Sequence, residues 1–188
     1  RDTDRSRGLG DVYKRQGPGY GGSCFPKDTN AMAYMGRTNG VNLSLIETAI
    51  AGNDKRKESM AARVLNAIDN NLHARIAVLG LAFKGGTDDC RESPAMQIVG
   101  ALLNSGADNI CVYDPKAMEN ARKLAGDKLV YADDVYEALK DAEVLVILTE
   151  WEDFRHLDLN KVKSLMKKAN IVDLRNMLNP AEVMKIGF

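Results

Sequence analysis

"ARIAVLGLAFKGGTDDCRESPAMQIVGALLNSG" (74–106) is the stretch that decides the fold. It opens on a short run, residues 74–80, that is apolar at nearly every position and stops at Gly80. A strand with no polar alternation is one buried on both faces. The segment closes on a helix signal over 93–106: Ser93 as N-cap, Pro94 in the first helical position and Gly106 beyond the end. Between them lies a long polar loop. The same alternation continues downstream. "NICVYD" (109–114) reads as a strand, "KAMENARKLAG" as a helix and "KLVYA" as a short strand. "DDVYEALKDA" reads as a capped helix, "EVLVILT" (143–149) as a strand, "NKVKSLMKKA" as a helix and "NIVDL" (170–174) as a strand. Five apolar strands alternating with helices predict an α/β domain with a mostly parallel sheet. Right-handed crossovers make it Rossmann-like and doubly wound.

Working outward, the pattern before His73 is different. Residues 24–70 read as helical, with Leu45, Ile46, Ala49, Ile50, Met60, Val64, Leu65 and Ile68 suiting one or two amphipathic helices. The charged run "DKRKE" (54–58) reads as a solvated face. Residues 1–16 carry no apolar periodicity. Their end, "DVYKRQ", resembles the translation of a transposon end used in sequencing libraries. They are read as a non-native, adapter-derived segment, which leaves 17–72 as a helical unit and 73–188 as the Rossmann-like unit.

Composition narrows the function. Lys+Arg and Asp+Glu are 26 each, so no basic excess points to nucleic acid. No apolar run approaches the roughly 18 residues of a membrane span. Cys24, Cys90 and Cys111 are odd in number and far apart, and there are two histidines. That fits a reducing, cytoplasmic setting and offers neither a disulfide framework nor a metal-ligand spacing.

Three places carry candidate chemistry. The loop after the first strand holds Lys84 and Arg91 ahead of a helix start, a setting that suits a phosphate or diphosphate. It is not G-x-G-x-x-G, and the two cations could instead pair with Asp88, Asp89 and Glu92. Asp114 ends the second strand, where an acid can hold a ribose or, the favoured reading, cap the turn before Pro115. In "GPGYGGSCFPKD" (17–28), Cys24 follows a glycine turn and precedes a helix whose first turn holds Pro26. A helix start and Lys27 both favour a thiolate. Asp28, four residues on, shares its face and could assist as a general base. A small buried hydrophobe is the alternative for such a cysteine. Cys111 reads as strand core and Cys90 as a loop residue.

"GYGGSCFPKD", "GLAFKGGTDDCRESPA", "VYDP" and "VDLRN", in that order, resemble the nucleotide-sugar dehydrogenases of the UDP-glucose/GDP-mannose dehydrogenase family, most closely its bacterial UDP-glucose-oxidising branch. The resemblance runs from Gly17 to Phe188. It implies that the chain is the C-terminal part of an NAD-dependent enzyme, without the NAD-binding domain and inactive alone. It makes Cys24 the nucleophile that holds the sugar's C6 as a thiohemiacetal and then a thioester, and Asp28 the residue that orients or activates water. It assigns Gly17, Pro18, Gly19, Tyr20, Gly21, Phe83, Lys84 and Arg175 to the UDP-glucose substrate. Cys24, Lys27 and Arg91 are assigned to the NAD side. It implies a homo-oligomer through the central helices. Two alternatives stay open: a sister enzyme acting on UDP-N-acetylmannosamine or GDP-mannose, and a non-catalytic nucleotide-binding module.

Overall fold

In a computed structural model that describes residues 17–188, five strands form one parallel sheet. The reading of residues 1–16 as adapter-derived lies outside the described residues. The strands are β1 (Ile76–Leu79), β2 (Ile110–Tyr113), β3 (Val130–Tyr131), β4 (Val144–Ile147) and β5 (Ile171–Asp173). Their order is β3-β2-β1-β4-β5, so the chain steps outward twice, returns past β1 and steps outward again. In such sheets a crevice opens at the carboxyl ends of the strands where the order reverses, here between β1 and β4. Ile76 stands beside Ile110 on one side and Val144 on the other. All residues of β1 and β4 are fully buried, which is why their sequences do not alternate.

The helices are α1 (Phe25–Thr38), α2 (Ser44–Ala67), α3 (Pro94–Asn104), α4 (Met118–Ala125), α5 (Val135–Leu139), α6 (Glu152–Arg155), α7 (Leu159–Leu165) and α8 (Pro180–Ile186). Local chemistry sets their starts. The Ser93 hydroxyl accepts from Met96 N at 3.5 Å and donates to Leu81 O at 2.7 Å, pinning α3 to the end of β1. The Asp134 carboxylate accepts from Tyr136 N and Glu137 N, and Asp158 does the same for Asn160 N and Lys161 N. Gly80 has φ +93°, and a Cβ there would run into Thr149. Glycine is what lets β1 turn into its loop so close to the end of β4.

The helical unit divides in two. Gly40, at φ +67°, ends the first helix, and the chain resumes at Ser44. The second half of α2 lays Ala61, Val64 and Ile68 into the same core as the sheet. The first half does not. Leu45, expected on a buried face, is 85% exposed, and Met32, Tyr34, Met35 and Val41 are also bare. None of the described helices is long and apolar enough to cross a membrane.

Candidate functional site

The loops at the carboxyl ends of β1, β4 and β5 are tied into one platform. Asp114, 1% exposed, organises its floor. Its Oδ2 accepts from Leu81 N (2.7 Å), Ala82 N (3.1 Å) and Trp151 Nε1 (3.1 Å). Its Oδ1 accepts from Lys116 N (2.9 Å) and Ala117 N (2.8 Å). Five donors use up the lone pairs of one carboxylate, so Asp114 is the turn cap and has nothing left for a ribose hydroxyl. With no glycine fingerprint after β1 and this acid saturated, the sheet's own dinucleotide position does not fit NAD.

The segment after β4 clamps the loop after β1. Thr149 Oγ1 donates to Ala82 O at 2.7 Å, and Glu150 accepts from Gly85 N at 3.3 Å. At the end of β5, the Asp173 carboxylate accepts from Arg175 N, Met177 N and Leu178 N at 2.7–2.9 Å. That turn presents Arg175, whose guanidinium forms an ion pair with Glu150 and donates to Phe83 O at 3.4 Å. Sequence reasoning named Phe83, Lys84 and Arg175 but missed the Thr149-Glu150-Trp151 segment that seats them. A helix-free "TEW" after a strand carries no periodic signal.

The glycine turn lies across this platform. Gly17 rests against the Arg175 guanidinium, and Gly21 against the Glu92 carbonyl and the Pro94 ring. Gly22, at φ +88°, donates to Glu92 O at 3.3 Å, and a Cβ there would sit 2.9 Å from the Phe83 ring. Pro18 is buried. From α2, Asn53 grips Tyr20 twice, accepting from its N at 2.8 Å and donating to its O at 3.1 Å. Gly19 faces the side chains of Asn53 and Lys57. Arg56 donates to Gly17 O through Nε at 2.9 Å and Nη2 at 2.7 Å. The run 54–58 is therefore not simply a solvated face. Arg56 holds the turn, and Lys57, with a side chain 11% exposed, pairs with Asp54 at 2.7 Å. Contacts spanning 33 to 39 residues leave no local mark in the sequence.

Cys24 emerges from this turn as the N-cap residue of α1 and is exposed, with Pro26 in the first helical turn. Asp28 N donates to Cys24 O at 2.9 Å, one helical turn on, and the Asp28 carboxylate pairs with Lys27 at 3.3 Å at the surface. Arg91 pairs with Asp89 at 2.7 Å. Its pKa is raised first by the Asp89 hydrogen bond, then by the Asp89 charge, with a smaller contribution from Cys24. The neighbouring charges are engaged too: Asp88 with Asn120 and Glu92 with Gln97. The Lys84 ammonium lies 5.3 Å from the Phe83 ring centroid. Cys111 is core, as its strand implied. Cys90 is more than a loop residue: it is 3% exposed, and burial, then the Asp114 charge, pushes its thiol up to about 11. Among the described residues no cluster of His, Cys, Asp and Glu could hold a metal ion.

Comparison with known proteins identifies the family. The UDP-binding-domain model of the UDP-glucose/GDP-mannose dehydrogenase family matches residues 77–180, and the family's central-domain model matches residues 2–55. A UDP-glucose 6-dehydrogenase of Rhizobium meliloti (strain 1021) is 48% identical over 181 residues. That is 96% of this chain, which spans 41% of the relative's length. A UDP-glucose dehydrogenase structure from Pyrobaculum islandicum superposes with a TM-score of 0.73 at 36% identity, covering 86% of this chain and 35% of that one. A GDP-mannose dehydrogenase structure from Pseudomonas aeruginosa gives 0.71 at 28% identity, covering 88% and 38%. With the UDP-binding domain alone accounting for more than half of its residues, the chain belongs to the UDP-glucose/GDP-mannose dehydrogenase family.

Proposed function

We propose that this chain supplies the nucleotide-sugar platform and the catalytic thiol of an NAD-dependent UDP-glucose 6-dehydrogenase, which oxidises UDP-glucose to UDP-glucuronate in two steps. Residues 73–188 bind the UDP-sugar, and residues 17–72 carry the cysteine turn and the central helices. The observation that carries the reading is the meeting of the 17–22 glycine turn with Phe83 and Arg175, beside the exposed Cys24. The glycines let the turn pack directly on this platform, and Arg175 and Lys84 offer cations to the diphosphate.

Lys27 and Arg91 would help to hold NAD+, which when bound would accept hydride. This chain's residues manage the carbon. The Cys24 thiolate adds to C6 at the aldehyde level and holds it as a thiohemiacetal, then as a thioester. Asp28, one turn along α1, orients the water that cleaves the thioester. The 48% identity to a UDP-glucose 6-dehydrogenase favours UDP-glucose over the sugars of the sister enzymes. The bare apolar side chains of α1 and the start of α2 support a homo-oligomer built there. The three free cysteines suit a reducing cytoplasm.

Cys24→Ala in the full-length enzyme tests this. UDP-glucuronate formation should fall by orders of magnitude, each tenfold being about 1.4 kcal/mol of barrier. UDP-glucose binding should survive, because the nucleotide is held by the other domain. Near-normal acid production by the variant would overturn the reading.

A further inference from the structure

We propose that Glu150 is a positioning residue for the nucleotide sugar. It locks Arg175 in the orientation that leaves one edge of its guanidinium for the ligand. The proposal rests on the UDP-sugar reading above and extends it to a residue outside every motif that suggested it. Glu150 is where three loops meet. Its carboxylate accepts from Gly85 N in the loop after β1, and it forms an ion pair with Arg175 in the turn after β5. It belongs itself to the segment after β4, whose neighbours are fixed from below: Thr149 by Ala82 O and Trp151 by Asp114. The carboxylate is thus held by a fixed base and reaches two turns at once.

The guanidinium is incompletely satisfied. Arg175 offers five N–H donors in a fixed planar fork. Nη2 is taken by Glu150 and Phe83 O. Nε is buried and meets no acceptor among the described residues, and the side chain as a whole is 16% exposed. A buried charged donor without an acceptor is costly and calls for an explanation. Nη1 is the group that neither Glu150 nor Phe83 O engages, and it is the one set against Gly17 of the glycine turn. A diphosphate or sugar oxygen at Nη1 takes up that donor without displacing Glu150. The guanidinium is planar, so holding Nη2 also sets the direction of the remaining donors.

An opposing effect makes the sign informative. A carboxylate near a diphosphate repels it, so a Glu150 that merely competed for Arg175 would weaken binding, and its removal would tighten binding. The test is titration of the chain with UDP and with uridine. Fluorescence of Trp151, the single tryptophan and the next residue along, can follow it. Glu150→Ala should weaken UDP binding by about tenfold. Glu150→Gln, which keeps an acceptor for Gly85 N and Arg175, should recover part of that loss. Uridine, lacking the phosphates, should bind all forms alike, which a general loosening of the site would not allow. In an Arg175→Ala background, removing Glu150 should cost nothing further. UDP binding by either Glu150 variant as tight as, or tighter than, that of the unsubstituted chain overturns the proposal. So does a loss that persists undiminished in the Arg175→Ala background. Failure of the unsubstituted chain to bind UDP at all would instead strike the UDP-sugar reading itself, and with it this extension.

Discussion

The three cysteines show how far a residue's surroundings decide its chemistry. Cys24 is at the surface at a helix start, whereas Cys90 and Cys111 lie in the core with thiols pushed up by burial. Native alkylation should therefore label Cys24 first, with the other two reacting only on unfolding. Cys90 also sets a pH dependence. Its folded thiol titrates near 11 against an ordinary 9.0, so between those values the unfolded chain has lost a proton that the folded chain keeps. Stability should fall as pH rises through that window, by up to about 1.4 kcal/mol per unit for this group. Urea unfolding at pH 8 and 10 should show a drop that Cys90→Ala reduces; an equal drop in the variant would contradict it. The glycine-cysteine motif was legible because chemistry and turn propensity coincide in ten residues. Asn53 and Arg56, which hold that turn, were not, because only the folded chain brings them to it.

At the scale of elements, strands and long helices could be read because burial on both faces leaves an unbroken apolar run. Each of the five strands was foreseen in place. Helix α6, four residues long and so without a period, was not read, and neither was α8, which buries none of its residues and so lacks an apolar face. The N-cap Asn179 and Pro180 ahead of α8 were the one available signal. The loops between elements carry the function, and they depend on close approach. Gly80→Ala places a methyl group at φ +93° against Thr149. Backbone strain alone should cost about 1–3 kcal/mol, and displacement of Thr149 from Ala82 O should add to it. Thermal unfolding measures this, and a melting temperature unchanged from the unsubstituted chain would show that the β1–β4 junction is looser than described.

At the scale of the whole molecule, a Rossmann-like core carries a helical arm. The second half of α2 is bound into the core. The first half joins α1 in exposing Met32, Tyr34, Met35, Val41 and Leu45. The periodicity of the sequence identified these side chains as apolar but could not say what covers them. If a second copy does, sedimentation should report a dimer or larger, and Leu45→Glu should shift it toward monomer. A monomeric unsubstituted chain would contradict that assignment. This sheet is proposed to seat a nucleotide sugar and not a dinucleotide. The grounds are the saturated Asp114, the loop without a glycine fingerprint, and Arg175 laid over the glycine turn. Calorimetric titration of the chain with UDP and, separately, with NAD+ tests it most directly. The account predicts saturable binding of UDP with NAD+ markedly weaker; NAD+ binding more tightly than UDP would contradict it.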